Sequence, residues 1–227
     1  MNFSAIRLIK ANTTLCLILT LGLCFATSQA GAADDTWTYE FKKGDTIWGL
    51  SHTLLNDWRK WNAIARRNGI TDDRKVGIGT EIEIPREWLK SRPAEAQVTS
   101  IKGDAQLLRG NQPPRLLESG EHLLAGDQIA VAEGASLQVL FEDGAQVLLH
   151  QLTRVLLKQA QVLGASTLYD ITLGLSEGRL RNSSTRAKPA GSRFVVETPA
   201  SATVTRGTVF RINANGDTTN TEVLSGA

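Results

Sequence analysis

The pattern of hydrophobic and polar positions changes its period between residues 36 and 54. At first, apolar residues occupy every second position, which is typical of a half-buried strand; they are Trp37, Tyr39 and Phe41. The turn signal Lys43-Gly44-Asp45 follows, and apolar residues then recur at helical spacing from Ile47 to Leu54. Asp45 and Thr46 are both suitable caps for this helix. The pattern therefore predicts a strand that leads directly into a helix.

A second helix and a returning strand follow before Pro85. Asp57 is a suitable N-terminal cap for this helix, and Gly69 is a suitable left-handed residue at its end. One side of the helix carries Trp58, Trp61, Ile64, Ala65 and Asn68. Ile82 and Ile84, two positions apart, predict the returning strand. The order is that of a small α+β module, βααβ, of about 50 residues, and so small a core needs most of its tryptophans for packing.

A different pattern begins after Ser91–Ala96, where proline, small and charged residues predict a linker at residues 87–97. From residue 98 to 227, turn signals such as Gly126-Asp127 and Asp143-Gly144 recur between short alternating runs. This pattern predicts an all-β roll or meander. Gln151–Val162 is rich in Leu and Gln and also fits a helix; we expect a strand followed by a mobile loop there.

The first 33 residues have the pattern of an export signal. Arg7 and Lys10 give a positive start, Leu15–Phe25 is apolar, and small residues precede candidate cleavage sites after Ala30 and Ala33. The apolar run is shorter than the roughly 20 residues that span a bilayer. The sequence thus predicts a periplasmic or secreted, wall-associated protein with no transmembrane segment after signal cleavage.

Charge and cysteine content exclude several kinds of site. Of the 25 Lys and Arg residues, two lie in the signal, and all 23 Asp and Glu residues follow it, so the remainder has no net charge and no nucleic-acid-binding footprint. Both cysteines, Cys16 and Cys24, lie within the signal, and Leu23 before Cys24 disfavours lipid attachment. The mature chain then has no thiol for a disulfide, a nucleophile or a metal site.

Three separated motifs between residues 44 and 85 resemble those of the LysM family. They are Gly44-Asp45-Thr46-Ile47-Trp48, the helix positions Trp61, Ile64 and Asn68, and Gly79 with Ile82-Glu83-Ile84-Pro85. The resemblance covers residues 36–86 and implies non-catalytic binding of peptidoglycan through its N-acetylglucosamine-containing glycan. The stretch Gly69–Arg74 departs from the family's usual loop, which forms one wall of its sugar groove.

The resemblance implies a glycan-binding groove between a turn and a loop. Its residues are Gly44, Asp45, Thr46 and Ile47 in the turn and Ile70, Thr71 and Asp72 in the loop. Backbone amides would pair with acetamido groups, and Ile47 or Ile70 would cover a methyl group. Such a shallow groove binds weakly, with a Kd of about millimolar to micromolar. We expect Asp45 to serve mainly as a helix cap, so that binding uses its neighbours' backbone.

Residues 98–227 resemble the FecR domain family. The resemblance rests on Leu124–Ile129, Val139–Gly144, Gly178-Arg179-Leu180, Phe194–Ala200 and Val204–Ile212, and it implies an all-β roll. The best-known members relay a signal from an outer-membrane iron transporter to a sigma factor. This sequence shows neither their cytoplasmic domain nor their internal membrane span, which disfavours direct sigma-factor contact. The family continues with another strand after Glu222–Leu224, so we expect a partial product with an exposed sheet edge.

Candidate catalytic and metal-binding residues are few. Gly174–Gly178 fits the Gly-x-Ser-x-Gly pattern of hydrolases, but a polar, turn-rich sequence follows it instead of the required helix. The histidines are too dispersed for a metal site; they are His52, His122 and His150. Arg206 is either a ligand contact or, in the reading we favour, the buried partner of Asp127 or Asp143. The sequence therefore predicts no catalytic residue, no metal and no cofactor.

These observations favour a non-catalytic protein of the bacterial cell envelope. In the leading hypothesis, the LysM-like module binds peptidoglycan and anchors a FecR-like β domain, which presents a binding surface to an envelope protein or other ligand. In the alternative, the protein is a periplasmic sensor or regulator whose β domain binds a partner segment by strand addition. A wall hydrolase is disfavoured because the sequence supplies no supported catalytic set.

Overall fold

The first part of the chain forms a strand, two helices and a returning strand. The computed structural model describes residues 35–164, 168–184, 188–205, 209–215 and 218–225. Its first elements are β1 (Thr36–Glu40), α1 (Ile47–Leu54), α2 (Trp61–Arg67) and β2 (Glu81–Pro85), with 3-10 turns at Trp58–Lys60, Asp73–Lys75 and Arg86–Trp88. β1 and β2 pair antiparallel. Residues 36–85 are called the small module below.

The helix ends of the small module follow from local side-chain chemistry. Thr46 caps α1, since its hydroxyl accepts a hydrogen bond from Gly49 N at 2.9 Å. Asp57 caps the 3-10 turn that precedes α2, not α2 itself. Gly69, at φ 65°, ends α2, and Ile70 N donates to Ala65 O at 2.8 Å. This is the Schellman arrangement, which needs a left-handed residue after the helix.

Thirteen strands form the rest of the described chain, here called the β domain. They are β3 (Ser91–Pro93), β4 (Ala96–Lys102), β5 (Ala105–Arg109), β6 (Arg115–Leu116), β7 (Asp127–Val131), β8 (Ser136–Phe141), β9 (Ala145–Leu149), β10 (Thr153–Leu163), β11 (Leu168–Ser184), β12 (Arg193–Glu197), β13 (Ala202–Thr205), β14 (Val209–Asn215) and β15 (Thr218–Ser225). The prediction of an all-β region is confirmed. β10 is one continuous strand, so the prediction of a mobile loop within Gln151–Val162 is wrong.

The long strand β11 belongs to two sheets. Its first half lies between β10 and β12 in the order β6-β5-β7-β10-β11-β12-β13, and only the β11–β12 pair is parallel among these. Its second half lies between β9 and β14 in the order β4-β8-β9-β11-β14-β15. The two halves meet at Gly178, where φ is 94°. The apolar faces of both sheets enclose one core, in which Phe194 contacts the rings of Phe141 and Phe210.

Gly178 is required by the close approach of two strands. A Cβ atom at this position would lie 2.5 Å from the Cα of Thr153. The buried Thr153 hydroxyl accepts from Arg179 N at 3.0 Å and donates to Arg179 O at 3.2 Å, so it fixes the backbone just beyond the glycine. The positive φ and the missing side chain together allow β11 to pass from one sheet to the other.

The small module and the β domain share a packed junction. Leu163 and Leu168, at the β10–β11 hairpin, belong to the core of the small module. Trp37 of β1 packs so closely on Gly191 that a Cβ there would lie 2.5 Å from its ring. Residues 87–97, which the sequence predicts as a linker, contain β3, which pairs with β10, and the start of β4. The segment is therefore ordered and holds both parts together.

Candidate functional site

The turn predicted to bind glycan is held by Asp45. Its carboxylate accepts hydrogen bonds from the Tyr39 hydroxyl and from Lys42 N, both at 2.8 Å. The pKa of Tyr39 is raised to about 12, first by burial and then by two effects of Asp45: its hydrogen bond with the phenol and its negative charge. The expectation that Asp45 caps the helix is corrected, because Thr46 is the cap. Asp45 instead ties the turn to β1, with exposed Gly44 at φ 91° between them.

Ile47 lies in the core and is 0% exposed. The suggestion that its side chain covers a sugar methyl group is therefore wrong. The sequence reasoning missed this because the first residue of a short helix can face either the core or the groove, and only the packing of the whole module decides which. What Ile47 offers to the surface is limited to its backbone, at the start of α1.

The loop predicted as the second wall has two half-buried residues and one exposed residue. Ile70 is half-buried and packs against the same core as Ile47. Thr71 is exposed. Asp72 accepts a hydrogen bond from Arg74 N at 3.1 Å and pairs with Lys75 at 3.5 Å, so it caps its own 3-10 turn. Gly44, Thr46 and Thr71 are thus the three exposed positions among the seven residues proposed from the resemblance.

A row of three rings lies on the surface of the small module. His52 contacts Trp48 with ring centroids 4.2 Å apart and stacks on Trp58 at 4.7 Å. Trp48 is 53% and Trp58 43% exposed, which is more aromatic exposure than the sequence reasoning expected. The i, i+4 spacing of Trp48 and His52 is the signal in the sequence that predicts their contact.

The strand β15 forms an edge of the second sheet. Among the described residues it pairs with one strand, β14, from Val209 opposite Ser225 to Asn215 opposite Thr218. Val223 is 63% and Leu224 39% exposed, so the end of the strand carries apolar side chains in solvent. Within the described part of the chain, β15 is therefore an edge strand.

Two buried carboxylates of the β domain each pair with a cation. Asp127 forms a two-point ion pair with Arg109, at 2.6 and 2.8 Å, and accepts from Leu124 N. Asp143 pairs with Lys188 at 2.5 Å. Both carboxylates are buried, Asp127 at the start of β7 and Asp143 in the turn after β8, so these pairs stabilise the β domain. Arg206, proposed as the partner of one of them, lies outside the described residues.

The hydrolase pattern does not form a nucleophile site. Ser176 lies within β11 and its hydroxyl donates to Arg154 O at 3.2 Å, and the strand continues where a nucleophile elbow needs a helix. In the described ranges, no three His, Cys, Asp or Glu side chains are grouped to hold a metal ion. None of the helices described is both long and apolar enough to cross a membrane.

These features define a β-rich protein, and a comparison with known families describes part of it more specifically. Residues 127–227 match the family model described as FecR protein. The match covers somewhat less than half of the chain and most of the strands that build the core around β11. No curated protein and no solved structure matches the chain. The family match does not reach the small module, so its LysM resemblance stays a prediction.

Proposed function

We propose that this chain is a non-catalytic, periplasmic regulatory protein whose β domain binds an extended segment of a partner protein by strand addition to β15. The match of residues 127–227 to the FecR family supports a signal-regulatory role in the cell envelope. The edge position of β15 is the observation that carries the mode of binding. A strand at an edge presents backbone groups that a new strand can bind.

The composition of β15 favours pairing with another strand. It is eight residues long, and the three threonines and one valine within it suit a strand. The lysines and prolines that commonly protect an edge are absent from Thr218–Ser225. Its one charged residue, Glu222, lies 3.3 Å from Arg211 of β14, so its charge is balanced within the sheet. The exposed Val223 and Leu224 would supply apolar side-chain contacts beside the backbone bonds.

Site-specific photocrosslinking in the cell envelope tests this proposal. A crosslinking amino acid at Asn220 of β15 should yield one discrete adduct with a partner protein, and the Val223→Lys substitution should abolish it. The same probe at exposed Thr99 of β4, a strand at the far end of the sheet order, is the matched control and should give no such adduct. An adduct unaffected by Val223→Lys, or equal adducts from both positions, would refute strand addition at β15.

Glycan binding by the small module is a second candidate function. The observations that favour it are the strand, helix, helix, strand order and the exposure of Gly44 and Thr71 on the proposed turn and loop. The anchor would hold the β domain at the wall, where weak single contacts gain strength by repetition. The candidate does not depend on strand addition at β15.

Sedimentation with insoluble peptidoglycan tests the second candidate. The full chain should pellet with the wall, and chitin oligosaccharide should release it. Thr71→Arg, which would obstruct the loop, should reduce the pelleted fraction, while Thr53→Arg on the exposed side of α1 should not. Point substitutions are preferable to deleting residues 36–85, because deletion would uncover Leu163 and Leu168. Equal pelleting of both variants would exclude this groove.

A further inference from the structure

The outer face of the first sheet carries a groove that crosses five strands. Directly opposed residues of β5, β7, β10, β11 and β12 form one row across it; they are Leu108, Gln128, Leu156, Gly174 and Glu197. Opposed residues of neighbouring strands lie on the same face, so the row is continuous. At a strand spacing of roughly 4.8 Å, five strands span about 19 Å. The residues that line the groove belong to neither β15 nor the small module, although Thr198 at one end shares a hydrogen bond of 2.7 Å with Thr219 of β15.

The groove is formed by two adjoining cavities. They have volumes of about 290 and 430 Å³, and Gln128, Leu156 and Ser176 line both. Pro114, just before β6, lines the first cavity, and Pro199, just after β12, lines the second. Together the two cavities form an open channel over the face from β5 to β12.

Uncharged polar groups are available along this channel. Gln106 and Gln128 are exposed, and within the described part of the chain their side-chain amides make no hydrogen bond. Each amide offers two donor hydrogens and an acceptor oxygen. The half-buried side chains between them are apolar and belong to Leu108, Ala130 and Leu156. A mostly apolar floor with a few well-placed polar groups is the usual composition of a ligand site.

The charges of the groove cancel locally. Arg154 pairs with Glu177 at 2.6 Å, and Lys158 pairs with Glu197 at 2.5 Å. Lys158 reaches Glu197 by lying over Gly174, where a Cβ atom would come within 2.8 Å of its stem. Neither an anionic nor a cationic ligand therefore finds an unpaired charge among these four side chains. The complementary ligand is polar and neutral.

We propose that this groove is a binding site for a neutral oligosaccharide. Amide side chains pair with hydroxyl and acetamido groups, and the aliphatic floor covers the apolar faces of sugar rings. An extended peptide is less suited, because the inner strands β7, β10 and β11 are paired on both sides and offer it no backbone edge. The inference goes beyond the proposed regulatory role and holds independently of strand addition at β15.

An NMR titration of the full chain with chitotetraose locates the site. Backbone amide signals of Gln128, Leu156 and Gly174 should shift as the sugar is added. Shifts confined to residues 44–47 and 70–72 would place sugar binding in the small module and refute the groove. The absence of any shift at millimolar sugar would refute it as well. Both outcomes leave the photocrosslinking result at β15 unaffected, so the two proposals fail separately.

A pair of glutamine variants tests the contact chemistry. Gln128→Ala should weaken chitotetraose binding about five-fold, the effect of losing one or two hydrogen bonds. Gln146→Ala, at a half-buried strand position of β9 in the other sheet, is the matched control and should bind like the parent chain. Unchanged affinity of Gln128→Ala would refute the proposal. Binding of a short uncharged peptide without binding of the sugar would also refute it, in favour of a peptide site.

Discussion

The hydrogen bond between Tyr39 and Asp45 fixes the geometry of the turn after β1. The titration of Tyr39 can be used to measure this interaction. The pKa of Tyr39 is raised to about 12 in the folded chain, mainly by burial and further by Asp45. The folded state therefore holds the phenol proton more tightly than the unfolded state, whose tyrosine pKa is about 10. Its contribution to stability is complete below pH about 10 and is lost as the pH rises toward 12.

An alkaline titration of phenolate absorbance checks this prediction. The component that disappears in Tyr39→Phe should titrate near pH 12 in the parent chain. In Asp45→Asn it should move toward the ordinary value without reaching it, because burial is the larger cause. A Tyr39 component that titrates at the ordinary value in the folded parent would contradict the hydrogen bond between Tyr39 and Asp45.

Gly178 should be among the most sensitive single positions of the β domain. Gly178→Ala combines an unfavourable positive φ with a clash against the Thr153 backbone, and we expect a loss of roughly 3 kcal/mol in the free energy of unfolding. Gly134→Ala is the matched control, since φ is also positive there but the space around a Cβ is open. It should cost about 1 kcal/mol. Urea unfolding measures both, and equal losses would disprove the clash.

Some residue roles can be predicted from sequence because they depend on neighbours within one turn. The left-handed Gly69 is of this kind, and so is Asp57 as a capping residue, although it caps the 3-10 turn before α2 and not α2 itself. The sequence does not decide whether Asp45 or Thr46 caps α1, since both are good caps. The structure decides it, because the Tyr39 hydroxyl donates a hydrogen bond to Asp45. The burial of Ile47 and the pairing of Asp143 with Lys188 also depend on contacts that the sequence does not show.

At the scale of elements, Asn68 connects α2 to β2. Its side-chain amide donates to Ile64 O at 2.9 Å and Glu83 O at 3.0 Å, and its oxygen accepts from Glu83 N at 2.7 Å. The Asn68 side chain thus continues the hydrogen bonding of the β2 backbone on the edge of β2 that faces away from β1. This gives a structural reason for asparagine at the last position of the Trp61, Ile64 and Asn68 motif.

Asn68→Asp tests this connection. The substitution removes both donor hydrogens and places a carboxylate beside two carbonyl oxygens, so the free energy of unfolding should fall by about 2 kcal/mol. Asn62→Asp, at an exposed position of α2, should change it by less than about 0.5 kcal/mol. Thermal unfolding of the two variants is the measurement. A loss no larger for Asn68→Asp than for Asn62→Asp would show that the three hydrogen bonds contribute little.

Element boundaries were less predictable in the β domain than in the small module. Alternation finds segments such as Ser136–Phe141, but β10 and β11 continue through register shifts that break a simple period of two. The groove on the outer face of the first sheet could not be predicted from the sequence for a related reason. Gln106, Gln128 and Gly174 lie far apart along the chain, and only the register of three strand pairs brings them together.

At the scale of the whole molecule, the junction should make the small module and the β domain unfold together. Arg193 of β12 pairs with Asp35 beside β1 at 2.8 Å and with the buried Asp170 of β11 at 2.8 Å. All five tryptophans lie between residues 37 and 88, so their fluorescence reports on the small module and the segment next to it. Far-ultraviolet circular dichroism is dominated by the strands of the β domain. In the parent chain, the two unfolding curves should coincide.

Arg193→Ala should lower stability by about 3 kcal/mol, because it leaves the buried Asp170 without its cation. It should also separate the two unfolding curves, with tryptophan fluorescence changing first. Arg181→Ala, at an exposed position of β11, is the control and should leave both curves coincident. Two separated transitions already in the parent chain would contradict a shared junction.

The close packing of Trp37 on Gly191 limits how this architecture can be recombined. A small module of this size could be expected to be interchangeable between proteins, but here its surface and that of the β domain fit each other closely. Moving residues 36–85 into another protein would remove them from their interface with the β domain. The Trp37 ring would then lose its contact with Gly191. Gene fusions in this architecture would succeed only if the β10–β11 hairpin and the start of β12 travel with the module.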